Sequence, residues 1–98
     1  MTVIRVKGFF TFKMLLGGPG ELTLEMDKPT PRKIMRELSA RFGREMSPES
    51  FFPGGDRPAA PGPVMLINGR HLRHFPEGPD LPLTAGDFVT LFPPVAGG

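Results

Sequence analysis

The residues of this sequence whose types and spacing could support chemistry lie at its end, Phe92 to Gly98, which reads F-P-P-V-A-G-G. Pro93 and Pro94 cannot donate to a β-ladder, so a strand running into them must leave its sheet there. The tail that follows ends on two residues without side chains, Gly97 and Gly98. Bare glycine backbone can enter a slot too narrow for any Cβ. An enzyme that grips such a tail can activate its carboxylate with ATP as an acyl-adenylate and pass the acyl group to a nucleophile. The rest of the chain offers little competing chemistry. There are no cysteines, which excludes disulfides, thiol catalysis and thiolate metal sites. The two histidines, His71 and His74, lack a third ligand and a neighbouring nucleophile, and read as surface residues. Gly17, Gly18 and Gly20 surround Pro19 without the Lys-Ser/Thr that a phosphate-binding loop needs. An independent enzyme is therefore the weakest reading.

The elements that must hold this tail can be traced back from it. Phe88 to Phe92 is a short apolar run of strand formers, stopped by the two prolines. Leu83 to Asp87 is a turn that feeds it. Val64 to Ile67 and Arg70 to Leu72 are short strands around Asn68-Gly69, a strong hairpin signal. At the other end, Val3 to Phe12 reads as a strand with Ile4 and Val6 inward and Arg5 and Lys7 outward. Gly17 to Gly20 is a turn, and Glu21 to Met26 alternates with Leu22, Leu24 and Met26 apolar, which predicts an N-terminal hairpin. Thr30 suits an N-cap, Pro31 the first helical position and Gly43 a stop. Between them Ile34, Leu38 and Phe42, with Met35, make one apolar stripe. Arg44 to Pro63 holds five prolines and three glycines in twenty residues, so a loop is expected with one helical turn near Ser47-Pro48-Glu49-Ser50. Phe51 and Phe52 should tuck into the edge of the core. Glu77 to Pro82 reads as a loop. Strand, strand, helix and three further strands give an α+β class: one mixed sheet of four to five strands with one main helix packed across it.

The segment L-T-A-G-D-F-V-T-L-F-P-P-V-A-G-G, Leu83 to Gly98, resembles the C-terminus of the molybdopterin synthase small subunit. That subunit is one of the ubiquitin-like sulfur carriers, a group that includes the thiamine-pathway carrier. Gly86-Asp87 and Phe92 to Gly98 carry most of the likeness, and the Val64 to Gly69 segment extends it. The resemblance implies a β-grasp, ubiquitin-like fold over residues 1–98, with the first and last strands parallel neighbours and a flexible tail at 93–98. It also implies a mechanism. An ATP-dependent adenylating enzyme, using ATP and magnesium, activates Gly98. A sulfurtransferase replaces the adenylate with sulfur, and the thiocarboxylate serves the molybdopterin synthase large subunit or an equivalent acceptor enzyme. Gly98 carries the activated carboxyl and Gly97 lets the tail thread. Pro93 and Pro94 aim it, with Val95 and Ala96 following into the partner. Phe92 and Phe10 match positions where the family has partner-contacting aromatics. The chain itself would bind no cofactor and no metal.

Composition bounds these readings. At 98 residues, with 39% hydrophobic and 22% charged content, the chain reads as one small soluble domain. No apolar run is long enough to span a membrane, and the N-terminus lacks a signal-peptide layout; a cytoplasmic protein is expected. A net charge of +2, with basic and acidic residues interleaved, argues against nucleic acid as the partner. Three other functions use the same features: a sulfur carrier for thiamine or another thio-compound, a ubiquitin-like modifier joined to lysines through Gly98, and a β-grasp interaction module without terminal chemistry.

Overall fold

The computed structural model describes residues 1–52 and 62–93. Five strands form one sheet in the order β2-β1-β5-β3-β4. β1 (Thr2–Gly8) pairs antiparallel with β2 (Glu21–Met26), Val6 opposite Leu22 and Ile4 opposite Leu24. β5 (Phe88–Phe92) lies between β1, to which it is parallel, and β3 (Val64–Ile67), to which it is antiparallel. β4 (Arg70–His71) closes the far edge. The first and last strands are thus the parallel neighbours that the β-grasp resemblance implied.

The pleat sorts the side chains. Ile4, Val6, Leu24, Met65, Ile67, Val89 and Leu91 are all buried on one face. Helix α2 (Pro31–Phe42) covers it with Ile34, Met35 and Leu38, each fully buried. The ends of α2 obey the local signals. The Thr30 side chain accepts from the Lys33 amide at 3.2 Å, Pro31 occupies the first turn, and Gly43 closes the helix at φ 115 while donating to the Ser39 carbonyl. Only Gly adopts that φ without strain. Phe42, the last residue of the expected stripe, is half-buried.

Two expectations need correction. The first strand stops at Gly8, and Thr11–Leu16 forms a short helix, α1, so the β1–β2 pair is joined by a helical connection instead of a tight turn. The cause is a close approach: a Cβ on Gly8 would stand 2.8 Å from the Phe12 carbonyl carbon. Glycine lets α1 fold back on β1, which places Phe12 in the core at 3% exposure. The strand expected at Arg70 to Leu72 is shorter, since Leu72–His74 forms a 3-10 turn that buries Leu72.

The proline-rich segment contributes more than an edge. A 3-10 turn, Arg44–Met46, and a four-residue helix, α3 (Pro48–Phe51), bury Met46, Phe51 and Phe52. The ring of Phe51 lies 5.5 Å from that of Phe12 and 6.1 Å from that of Phe52. Ser47 caps α3 by accepting from the Ser50 amide.

At the other end of β5 a polar knot sets its start. Asn68 accepts from the Phe88 amide at 2.9 Å and donates to the Asp87 carboxylate at 3.1 Å. The second Asp87 oxygen accepts from the Thr84 amide at 2.8 Å. Asn68 and Gly69 both have positive φ, 52 and 86, as a tight hairpin turn demands.

Candidate functional site

The end of β5 is where the chain leaves the sheet. Phe92 is its last residue and pairs with Val64. The Phe9 amide donates to the Leu91 carbonyl at 3.0 Å, continuing the β1–β5 ladder one step past β1. The rings of Phe9 and Phe92 then stack, centroids 4.7 Å apart and planes within 6°. Both are half-buried on the sheet face opposite α2. The cation of Lys7 lies 4.9 Å above the Phe9 ring, and that of Arg5 lies 4.8 Å from the Phe88 ring. Arg5 also pairs with Glu21 at 2.6 Å.

Phe10, next to this stack, points outward and is 70% exposed. Its backbone sits at φ 56, ψ −123, a region that a side chain with Cβ adopts only under strain. Met14 stands one helical turn further along α1 and is 82% exposed; its amide donates to the Phe10 carbonyl. A strained exposed aromatic and an exposed methionine thus lie at the start of α1, which follows directly on the Phe9–Phe92 stack.

Of the residues expected to act, Phe92, Pro93 and Phe10 are described, and the structure gathers them at one end of the sheet. Pro93 is half-buried. Pro94, Val95, Ala96, Gly97 and Gly98 lie outside the described residues. Sequence pattern did not single out Phe9, Met14 or Glu45. Phe9 had a signal, because it continues the alternation of Arg5 and Lys7. Met14 and Glu45 had none, since their positions depend on where α1 and the Arg44–Met46 turn pack.

Among the described residues no group of three or more His, Cys, Asp or Glu is placed to hold a metal, and no helix is long and apolar enough to cross a membrane. His71 and His74 face each other edge-on at 6.3 Å. Burial first, then the charges of Arg73 and His74, hold the His71 pKa below its ordinary value. Its Nδ1 accepts from the Arg73 amide at 3.0 Å, a structural task. Asp80 is held below the usual carboxylate range by its hydrogen bonds from Arg32, which tie the 3-10 turn Gly78–Asp80 to α2.

Comparison with known proteins agrees with this geometry. A model of the ThiS family matches residues 9–98. No curated protein matches the chain. Among solved structures, the HVO 2177 protein of Haloferax volcanii is 28% identical, with a TM-score of 0.77, over 99% of this chain and 87% of that one. Small archaeal modifier protein 1 of Methanosarcina acetivorans is 26% identical, TM-score 0.72, over 100% and 98% of the two chains. A Pyrococcus furiosus protein named as molybdopterin converting factor, subunit 1, is 25% identical, TM-score 0.68, over 97% and 100%. The fold they share with this chain is the ubiquitin-like β-grasp of the sulfur carriers.

Proposed function

The chain belongs to the ThiS family, and on that premise we propose that it is a sulfur carrier, a protein cosubstrate whose Gly98 carboxyl is the reacting group. The observation that carries this reading is the family match, which runs through Gly98. The geometry supports it: β5 is held between β1 and β3 and ends at Phe92 against Pro93, so a central strand anchors the root of the reacting segment.

The chemistry follows from the carboxylate. It is a poor acyl donor until its oxygen becomes a leaving group. In the proposed sequence that oxygen attacks the α-phosphorus of ATP in an adenylating enzyme, and pyrophosphate departs. The persulfide of a sulfurtransferase adds to the acyl carbon and expels AMP, giving an acyl disulfide, and a thiol reductant then cleaves its S–S bond to leave the thiocarboxylate. ATP and magnesium belong to the activating partner. The chain contributes rigid presentation by β5, a narrow Gly97-Gly98 end, and contact surface at Phe92, Pro93 and Phe10 for the partner body. Pro94, Val95 and Ala96 fill the slot between.

The acceptor we favour is the large subunit of a molybdopterin synthase, because the likeness from Leu83 to Gly98 is to that enzyme's small subunit and one structural relative carries the converting-factor name. A second reading, conjugation of Gly98 to lysines, is favoured by the similarity to a small archaeal modifier protein. In both readings the reacting carboxyl is that of Gly98, and the cytoplasm, where ATP is available, is the compartment that fits. The test is incubation of the chain with ATP, magnesium and the adenylating enzyme encoded in the same cells. The carrier reading expects pyrophosphate release that vanishes when Gly98 is deleted. Isopeptide-linked lysines on other proteins, with no sulfur on Gly98, would move the assignment to the modifier.

A further inference from the structure

Pro93 is one wall of a hollow of about 520 Å3 beside the root of the tail. The hollow is open to solvent, and Thr11 and Phe12 of α1, Glu45, Ser50 and Pro63 complete its lining. The packing of Phe12 against Phe51 brings these separate segments together. Phe12, Pro63 and Pro93 make the lining largely apolar. Ser50 is committed, since its hydroxyl donates to the Arg44 carbonyl and lies 3.1 Å from that of Ser47. Glu45 is not: it is exposed and, among the described residues, takes part in no ion pair or side-chain hydrogen bond. The hollow therefore combines apolar walls with one uncommitted carboxylate. A long basic side chain has the complementary form, an aliphatic stem with a cationic head.

We infer that this hollow receives an arginine or lysine side chain from the adenylating enzyme that acts on Gly98. The inference rests on the carrier reading above. Its occupant follows from reach. Only five residues, 94–98, separate Pro93 from the reacting carboxyl, and fully extended they span at most about 18 Å. An enzyme that encloses Gly98 in its active site must bring its surface to the root of the tail, where the hollow opens. Glu45 sits there as a charge that a cationic partner group can pair with as it docks.

The test uses the full chain and two variants in the pyrophosphate-release assay with that enzyme. Glu45→Lys reverses the charge at an exposed position. Thr11→Trp fills the hollow without changing charge. Both variants are expected to raise KM roughly tenfold with kcat unchanged, the signature of lost docking and not of lost chemistry. Added salt is expected to raise the wild-type KM and to leave that of Glu45→Lys nearly flat or lowered. Thermal unfolding of each variant, measured alongside, reports whether its fold is intact. Wild-type KM in a folded Glu45→Lys overturns the inference and leaves the carrier reading standing. A raised KM in Glu45→Lys with wild-type KM in a folded Thr11→Trp also overturns it, since that pattern marks general surface charge. Failure of the wild-type chain to be adenylated overturns the carrier reading and, with it, this one.

Discussion

Phe9 and Phe92 stack face to face at 4.7 Å, and this contact joins the first residue beyond β1 to the last residue of β5. It fixes where the chain leaves the sheet. An aromatic pair of this kind is worth about 0.5–1.5 kcal/mol beyond its buried area. A double-mutant cycle of Phe9→Ala and Phe92→Ala, read by urea unfolding, should return a coupling energy in that range. Strict additivity would show that the two rings merely lie near each other.

Phe10 carries the opposite kind of feature, a strained backbone with an exposed ring. Phe10→Gly should relieve the strain at φ 56 and remove few contacts, stabilising the fold by about 1 kcal/mol, or a Tm gain of about 4–8 °C for a chain this size. The same variant should weaken coupling to the adenylating partner, seen as a higher KM. A stability gain with unchanged KM would leave the exposed ring without a docking role.

Gly8 is where β1 ends and α1 folds back. In Gly8→Ala the new methyl would meet the Phe12 backbone at 2.8 Å, and backbone cannot swing away as a side-chain tip can. A loss of about 1–3 kcal/mol is expected from overpacking of this kind, measured by urea or thermal unfolding. A neutral result would mean that α1 can shift off the sheet without cost.

His71 gives the fold a pH dependence. Its pKa is lowered in the folded state by burial, Arg73 and His74, so the unfolded chain binds the extra proton more readily. Stability from this group is present above the unfolded value of about 6.5 and falls as pH drops below that value towards the folded pKa. Protonation also removes the Nδ1 lone pair that receives the Arg73 amide. Urea unfolding at pH 7.5 and 5.0 should show the decline, and His71→Gln should flatten its histidine-dependent part. An equal decline in that variant would assign the effect to other groups.

These residues also mark what was legible in the sequence. Thr30, Pro31 and Gly43 gave the ends of α2 because capping is local chemistry within a few residues. Asn68-Gly69 gave the β3–β4 turn for the same reason, and Pro93-Pro94 gave the end of β5. The helix at Thr11–Leu16 was missed because T-F-K-M-L-L has apolar residues compatible with either period, and the deciding contact, Gly8 against Phe12, lies across a turn. Phe51 and Phe52 are buried as the pattern suggested, but the contact of Phe51 with Phe12, some forty residues away in the chain, has no local signal. At the candidate site, Phe92 and Pro93 were readable from strand and breaker. The Phe9 stack and the hollow beside Pro93 were not, since they are assembled from segments that only the fold brings together.

The most direct test of the central claim is the intact mass of the protein, with tandem fragmentation of its C-terminal residues. It would be made on protein from its own cells and again after incubation with ATP, magnesium, the adenylating enzyme, a sulfurtransferase with its sulfur source, and a thiol reductant. The account predicts exchange of one oxygen for sulfur, localised to Gly98 and absent when Gly98 is deleted. An unmodified Gly98 carboxylate in both samples would contradict it.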